Sequence, residues 1–222
     1  MINLPQRAKR SKKVEETDEL FSYIENFSKV EKRKVLEETF ELPDSFIQVP
    51  FSEGSFLQFL LSLLKVKKVL EIGTFRGFST VFLSRALPQN GKVYTIEADK
   101  RNLAPSTALW KKLKASERII QLHGPGVKML EGLQKKKIRF DAIFIDADKR
   151  NQKEYLLKSL TLLKEGGVII CDNSLWKGKV VDKNETRESI VYTQKFNDFV
   201  KRKFKEKAVL IPAWDGVILI RK

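Results

Sequence analysis

Short apolar segments alternate with helical patterns along most of this chain, and this alternation limits the folds that it can adopt. Seven segments are typical of strands: residues 68–72, 92–97, 118–122, 140–146, 168–172, 208–211 and 217–221. Between the first five lie four segments with helical spacing: residues 78–87, 101–114, 127–134 and 152–163. Such alternation predicts right-handed βαβ units and a mainly parallel α/β sheet with helices on both faces.

The end of the chain modifies this sheet. Only residues 212–216 join the last two predicted strands, and this connection is too short for a parallel crossover. We therefore expect an antiparallel hairpin that closes a seven-stranded sheet. A helix over about residues 186–204 should precede the hairpin, and Asn90–Gly91 and Gly166–Gly167 should form turns before two of the strands.

The 222 residues are enough for one α/β domain with a large core. Residues 1–13 are predicted to be a basic flexible arm, residues 14–48 to hold two short amphipathic helices, and residues 49–222 to form the main domain, which begins with an apolar helix over 53–64. No segment is long and apolar enough to span a membrane. Cys171 is the single cysteine, so an internal disulfide is excluded and a cytoplasmic location is expected.

The chain is strongly basic. Its 43 Lys and Arg residues against 28 Asp and Glu give a formal net charge of +15. The excess is concentrated at residues 7–13, 111–114, 135–139 and 201–207. Basic surfaces attract polyanions, so RNA is a candidate partner, and a solvated lysine-rich surface without a partner is the alternative.

Two predicted strands end abruptly at polar residues. Asp146 ends the strand 140–146, and Asp172 with Asn173 ends the strand 168–172. The carboxyl ends of parallel strands open onto the ligand crevice of an α/β sheet. Carboxylate and amide oxygens are the ligands that hard divalent cations prefer, so these residues indicate a metal-assisted enzyme.

The first predicted strand leads into a glycine turn. Gly73 and Gly77 have the spacing GxxxG instead of the GxGxxG of a pyrophosphate-binding turn, and Ser79 follows with a hydroxyl that a ligand could use. Glu97 ends the second strand, where an acid can accept hydrogen bonds from ribose hydroxyls. Together these features favour a cofactor that carries a nucleoside and disfavour a dinucleotide.

These segments together resemble the cation-dependent, S-adenosylmethionine-dependent O-methyltransferases typified by catechol and caffeoyl-CoA O-methyltransferases. The resemblance runs from about Val49 to the end and is strongest in residues 70–75, 144–149 and 172–178. It implies a Rossmann-like class I methyltransferase fold for residues 49–222. It also implies a homodimer, with residues 14–48 contributing to substrate recognition and to the dimer.

The resemblance implies a role for each matching residue. Asp146, Asp172 and Asn173 would ligate the cation, most simply Mg²⁺, and Lys149 would be the base beside the acceptor hydroxyl. S-adenosylmethionine would be contacted by Val49, Glu71, Gly73, Thr74, Ser79, Glu97, Gly126 and Asp146. Three positions depart from the family pattern: Arg76 replaces a small residue, Gly126 an alanine and Gln152 a tyrosine.

The leading functional hypothesis is methyl transfer to a hydroxyl of a small aromatic, catechol-like acceptor. Two alternatives remain open: an O-methyltransferase of a hydroxylated uridine in tRNA, and a non-catalytic nucleic-acid-binding protein on a methyltransferase scaffold. The basic charge favours both alternatives, whereas Asp146, Lys149, Asp172 and Asn173 favour catalysis. A nicotinamide-dependent dehydrogenase ranks last because the chain lacks the pyrophosphate-binding turn.

Overall fold

The computed structural model describes residues 17–222, so the basic arm predicted over residues 1–13 lies outside the described residues. The strands are β1 Lys68–Ile72, β2 Lys92–Glu97, β3 Ile119–His123, β4 Phe140–Ile145, β5 Leu163–Cys171, β6 Ala208–Ile211 and β7 Val217–Arg221. The α-helices are α1 Asp18–Phe27, α2 Arg33–Glu37, α3 Phe51–Leu63, α4 Phe78–Ala86, α5 Leu103–Lys112, α6 Gly126–Lys135, α7 Gln152–Leu162 and α8 Glu188–Phe204.

The strands form one seven-stranded sheet in the order β3-β2-β1-β4-β5-β7-β6. Strands β1 to β5 pair in parallel, and β7 runs antiparallel to both β5 and β6. The predicted parallel sheet with an antiparallel C-terminal hairpin is therefore confirmed. Ile72 is in register with Ile96 and Ile145, and Ile145 with Cys171, so the carboxyl ends of four strands lie level along one edge.

Helices cover both faces of the sheet, as predicted. One core lies under α3, α4 and α5 and includes Leu57, Phe82 and Trp110. The other lies under α6, α7 and α8 and includes Leu130 and Leu156. Strand side chains alternate between the two cores with the period of two that a pleated strand imposes.

The prediction for the start of β5 is wrong. The strand begins at Leu163 instead of 168, and Gly166–Gly167 lies inside it instead of forming a turn before it. The pairing with β4 shifts register between Phe140 and Ala142, and Gly166 has φ +73°. A glycine pair can absorb such a bulge within a strand because glycine tolerates positive φ.

The N-terminal region contains two short helices, α1 and α2. Helix α1 presents its aromatic residues to solvent, and Phe27 is 75% exposed, whereas Glu25 of the same helix is buried. The Glu25 carboxylate accepts hydrogen bonds from the main-chain N–H groups of Phe51 (2.8 Å) and Ser52 (3.0 Å). An acid at this position neutralises the positive N-terminal end of α3 and fixes α1 to it. Over residues 17–222, no helix combines the length and the apolar character that crossing a membrane requires.

Candidate active site

The carboxyl edge of the sheet brings the predicted site residues together. Main-chain hydrogen bonds extend the sheet past its strand ends: Gly124 N–H to Glu97 O (2.9 Å), Gly73 N–H to Ile96 O (3.0 Å), Asp146 N–H to Ile72 O (2.9 Å) and Asp172 N–H to Ile145 O (3.1 Å). Residues that follow β1, β3, β4 and β5 are thereby held in one row. Gly73 of the predicted cofactor set and the predicted cation ligands Asp146 and Asp172 accordingly share one edge.

Glu71, in β1, is the most completely hydrogen-bonded acid at this edge. Its side chain is fully buried, and it accepts hydrogen bonds of 2.6 Å from the hydroxyls of Ser79, Thr80 and Thr95. Burial raises the pKa of Glu71 to about 7, although the three hydroxyl donors act to lower it. Glu71 therefore joins β1, β2 and the first turn of α4, and the Ser79 hydroxyl is directed to it.

Gly73 is required by the packing of the two strand ends. It has φ +100°, and a Cβ atom there would lie 1.8 Å from the main-chain oxygen of Asp146. No side chain can be accommodated at that distance unless the backbone moves. The turn after β1 thus lies directly against the residue that follows β4, and Gly73 joins the cofactor turn to the acidic residues.

Glu97 organises the loop beyond β1. Its carboxylate, almost fully buried, accepts hydrogen bonds from the main-chain N–H groups of Phe75 and Asp99, both at 2.7 Å. The hydroxyl of Thr74, also buried, lies 2.5 Å from that of Thr95. Thr74 is therefore linked to Glu71 through Thr95, and Glu97 is linked to the turn after β1 through Phe75. Val49 is buried just before α3.

Gly126 begins α6 and packs against Tyr155 of α7. A Cβ atom at Gly126 would lie 2.7 Å from Tyr155 Cε1, so the alanine expected at this position would displace the ring. The Tyr155 hydroxyl donates a hydrogen bond to the Asp148 carboxylate, and burial raises the pKa of Tyr155. Gly126 thus leaves room for the ring of Tyr155. This packing explains why glycine stands here in place of the expected alanine.

Asp146 and Asp172 form an acidic pair after β4 and β5. Burial and, after it, the negative charge of Asp146 raise the pKa of Asp172 to about 7. Burial likewise raises the pKa of Asp146. Lys149 is the positive group that acts on both acids, but its Nζ donates to the main-chain oxygen of Asp172 (3.0 Å). The N–H of Asn173, whose φ is 52°, donates to Asp172 Oδ1 at 2.6 Å.

Glu53 is a third acid at this site, and the sequence interpretation missed it. It lies in the first turn of α3 and is 2% exposed. Burial, the charges of Asp172 and Asp146 and a hydrogen bond shared with Asp172 raise the pKa of Glu53 to about 10. An acid in the first turn of an apolar helix is already explained by its favourable interaction with the positive N-terminal end of the helix. For this reason the pattern alone did not indicate a site residue.

The residues at this edge fit a hard divalent cation. The buried carboxylate of Asp172, the part-buried carboxylate of Asp146 and the amide of Asn173 are suitable oxygen donors. When both aspartates are ionised, their negative charges exceed the single charge of Lys149. Within residues 17–222, no group of three or more His, Cys, Asp or Glu side chains is arranged to hold a metal ion. The donor set would therefore combine the carboxylates of Asp146 and Asp172 with the amide of Asn173.

A family model described as O-methyltransferase matches residues 24–222. This chain belongs to that O-methyltransferase family. Among curated relatives, it is 30% identical to caffeoyl-CoA O-methyltransferase of Medicago sativa over 93% of this chain and 90% of that protein. It is 36% identical to catechol O-methyltransferase of Niastella koreensis over 68% of this chain and 69% of that protein.

Solved structures agree with the family assignment. The O-methyltransferase from Bacillus cereus in complex with S-adenosylhomocysteine superposes with a TM-score of 0.78 at 27% identity, covering 91% of this chain and 96% of that one. The Podospora anserina methyltransferase PaMTH1, also bound to S-adenosylhomocysteine, gives a TM-score of 0.83 at 25% identity, covering 92% and 94%. The predicted family, the class I fold and an S-adenosylmethionine-dependent O-methyltransferase are confirmed.

Proposed function

We propose that this O-methyltransferase requires a divalent cation, most simply Mg²⁺, and methylates a hydroxyl of a small aromatic, catechol-like acceptor. One observation carries the proposal: Asp146 and Asp172 lie together at the strand ends with more negative charge than Lys149 balances. Acids of this kind are stable when a cation is bound between them. The names of the relatives from Medicago sativa and Niastella koreensis support an acceptor with neighbouring aromatic hydroxyls.

The residues of the chain would divide the chemistry among them. Asp146, Asp172 and Asn173 would hold the cation, which when bound polarises a hydroxyl oxygen and lowers its pKa. Lys149, fixed to the main-chain oxygen of Asp172, stands beside these ligands, and its neutral amine form would accept the hydroxyl proton and become the ammonium. Such a rigid arrangement favours reaction by holding the acceptor oxygen in one position.

The cofactor residues would act from the neighbouring strand ends. S-adenosylmethionine, when bound, supplies the methyl group. We infer contacts from Val49, Glu71, Gly73, Thr74, Ser79, Glu97, Gly126 and Asp146. Glu71 holds the start of α4 through Ser79, and Glu97 holds the turn after β1 through Phe75, so the proposed pocket would be formed largely by the backbone around these buried acids.

The test is a methyl-transfer assay with labelled S-adenosylmethionine and three acceptors: a catechol, a matched monophenol and cellular tRNA. We expect transfer to the catechol, little to the monophenol, loss on adding a chelator and recovery with Mg²⁺. Activity that a chelator leaves unchanged would contradict the cation requirement. Transfer to tRNA alone would replace the proposed acceptor class.

A hydroxylated uridine in tRNA is the second candidate acceptor, and the net charge of +15 favours it. The positions of the three basic clusters within residues 17–222 do not. Residues 111–114, 135–139 and 201–207 span the C-terminal ends of α5, α6 and α8 and lead toward the next strands, so they lie at the amino edge of the sheet, opposite the candidate site. Cations there also interact favourably with helix C-termini. We therefore favour the small-molecule acceptor.

A homodimer is proposed as well, as the family resemblance implies. Helix α1 exposes Phe21, Tyr23, Ile24 and Phe27, and an apolar surface of this kind is typical of an interface. Light scattering after size-exclusion chromatography tests the proposal, and a mass of 25.7 kDa would contradict it. We keep the cytoplasmic location as a proposal, since the sequence has a single cysteine, Cys171, and therefore no internal disulfide.

A further inference from the structure

A cleft lies at the amino edge of the sheet, opposite the candidate active site. It is formed by the C-terminal parts of α3 and α4, the segment that follows α5 and the segment that joins α1 to α2, and its volume is about 650 Å³. Pockets that bind small molecules typically have volumes of about 300 to 1,000 Å³. The cleft is therefore large enough for a ligand of nucleotide size.

Basic side chains predominate among the charged residues of this cleft. Four cations line it together with one acid, Glu31: Lys29, Arg85, Lys114 and Arg118. A cleft with an excess of one charge concentrates ions of the opposite charge. The lining therefore favours an anionic ligand.

The two arginines of the lining are held in place by main-chain oxygens. Arg85 Nη2 donates a hydrogen bond to Glu31 O (2.8 Å), and Arg118 Nη1 donates one to Leu87 O (3.3 Å). Among residues 17–222, neither guanidinium forms an ion pair with a carboxylate. Because a guanidinium has five N–H donors, both arginines retain donors for a ligand.

Burial gives these cations a reason to bind an anion. Both arginine side chains are partly buried, and burial lowers the pKa of Arg85, although the charge of Glu31 acts in the opposite direction. A phosphate group would compensate for this burial, since its oxygens accept paired hydrogen bonds from a guanidinium. Lys29 and Lys114 are exposed at the same cleft and would attract the same charge.

The cleft also contains an aromatic ring and hydroxyl groups. Phe59, on α3, lines it and is 70% exposed. Nucleic-acid bases stack on exposed aromatic rings of this kind. Ser28 and Ser55 add hydroxyls that can donate hydrogen bonds to a sugar or a phosphate. The lining thus has groups suited to each part of a nucleotide.

We propose that this cleft binds a nucleoside phosphate, with its phosphate on Arg85 and Arg118 and its base on Phe59. The site is separate from the proposed S-adenosylmethionine contacts, which lie at the opposite edge of the sheet. An RNA strand needs a basic groove that follows several nucleotides, whereas this cleft has the volume of one small ligand. A free nucleotide is therefore the ligand class that we favour.

The test is calorimetric titration of the full chain with guanosine diphosphate. Saturating S-adenosylhomocysteine keeps the cofactor site occupied, and no divalent cation is added, so the result does not depend on the proposed cation. We expect one guanosine diphosphate bound per chain. Guanosine and pyrophosphate, each of which lacks one part of the nucleotide, should bind at least about 10-fold more weakly.

Four variants locate the binding. Phe59→Ala should raise the Kd by about 10-fold through lost stacking, and Phe46→Ala, which removes a ring that is 85% exposed outside the cleft, is its matched control. Arg118→Gln should raise the Kd by about 10-fold or more, because a charged hydrogen bond is lost. Lys135→Gln, at the end of α6, removes one charge outside the cleft and should leave the Kd unchanged.

Several results would contradict the proposal. Wild-type protein that binds no guanosine diphosphate, or equal Kd values for the wild type, Phe59→Ala and Arg118→Gln, would exclude this site. Pyrophosphate that binds as tightly as the nucleotide would exclude the role of Phe59, and guanosine that does so would exclude phosphate recognition. A single-stranded RNA that binds through the cleft while the nucleotide does not would overturn the ligand class. Thermal melting identifies unfolded variants, and the exposed position of Phe59 keeps the test valid if Arg118→Gln unfolds.

Discussion

Two groups of buried acids lie side by side at the carboxyl edge of this sheet, and their surroundings differ. Glu71 receives three hydroxyl hydrogen bonds, from Ser79, Thr80 and Thr95. The other group consists of Asp146, Asp172 and Glu53, which accept few hydrogen bonds. Besides burial, the charge of Asp146 raises the pKa of Asp172, and the charges of both aspartates raise the pKa of Glu53. The first arrangement is complete within the protein, which suits a residue that shapes a cofactor turn. The second would be completed by the proposed cation, which suits a catalytic centre.

The largest expected effect comes from removing a proposed cation ligand. Asp172→Asn should lower kcat/KM for the catechol by about 10³-fold, or about 4 kcal/mol, because a metal-bound acceptor loses several kcal/mol of stabilisation. In chelator-treated protein the same variant should be at least as stable as the wild type, since it removes a buried acid. Steady-state kinetics and urea denaturation measure the two effects. Unchanged kinetics would place the cation elsewhere.

A substitution at Gly73 should disrupt the close contact between the turn that follows Glu71 and the main chain of Asp146. Gly73→Ala should lower the free energy of unfolding by about 3 to 4 kcal/mol, because it combines a strained positive φ with overpacking against Asp146. The matched control is Gly132→Ala in α6, where a Cβ meets no atom within 4 Å. Urea denaturation compares the two variants. Equal stabilities would mean that the strand ends do not need this close approach.

The pH dependence of stability should reveal Glu71. Its pKa is about 7 in the folded protein and 4.5 ordinarily, so between these values the unfolded chain has lost a proton that the folded chain keeps. The free energy of unfolding should therefore fall as the pH rises from about 4.5 to 7, by roughly 3 kcal/mol from this residue. Glu71→Gln should remove that share of the slope. Denaturation at a series of pH values tests it, and identical slopes would contradict the burial argument.

The smallest effect is expected for the hydrogen bond between Tyr155 and Asp148, an acid outside both groups. Tyr155→Phe removes one hydrogen bond to the exposed carboxylate of Asp148. A single hydrogen bond contributes about 1 kcal/mol, so the stability should fall by that amount and cation binding should not change. Chemical denaturation with and without Mg²⁺ measures both. A large loss of cation affinity would enlarge the proposed site to include α7.

Much of the fold and of the site edge could be predicted because both depend on local patterns. The strand-end positions of Gly73, Asp146 and Asp172 follow from apolar runs that stop at particular residues. The start of β5 could not be predicted, because Gly166–Gly167 suits either a turn or a bulge and only the pairing with β4 decides between them. Glu53 was missed for a related reason. Its burial near Asp172 depends on residues more than a hundred positions away in the chain, which no local spacing indicates.

The central claim is that the acids after β4 and β5, and not Glu71, bind a divalent cation. Electron paramagnetic resonance of Mn²⁺ tests it most directly, with the wild type, Asp172→Asn and Glu71→Gln titrated under identical conditions. We predict one bound Mn²⁺ per chain in the wild type and in Glu71→Gln, and loss of binding in Asp172→Asn. Binding that persists in Asp172→Asn, or that Glu71→Gln abolishes in a folded protein, would contradict the account.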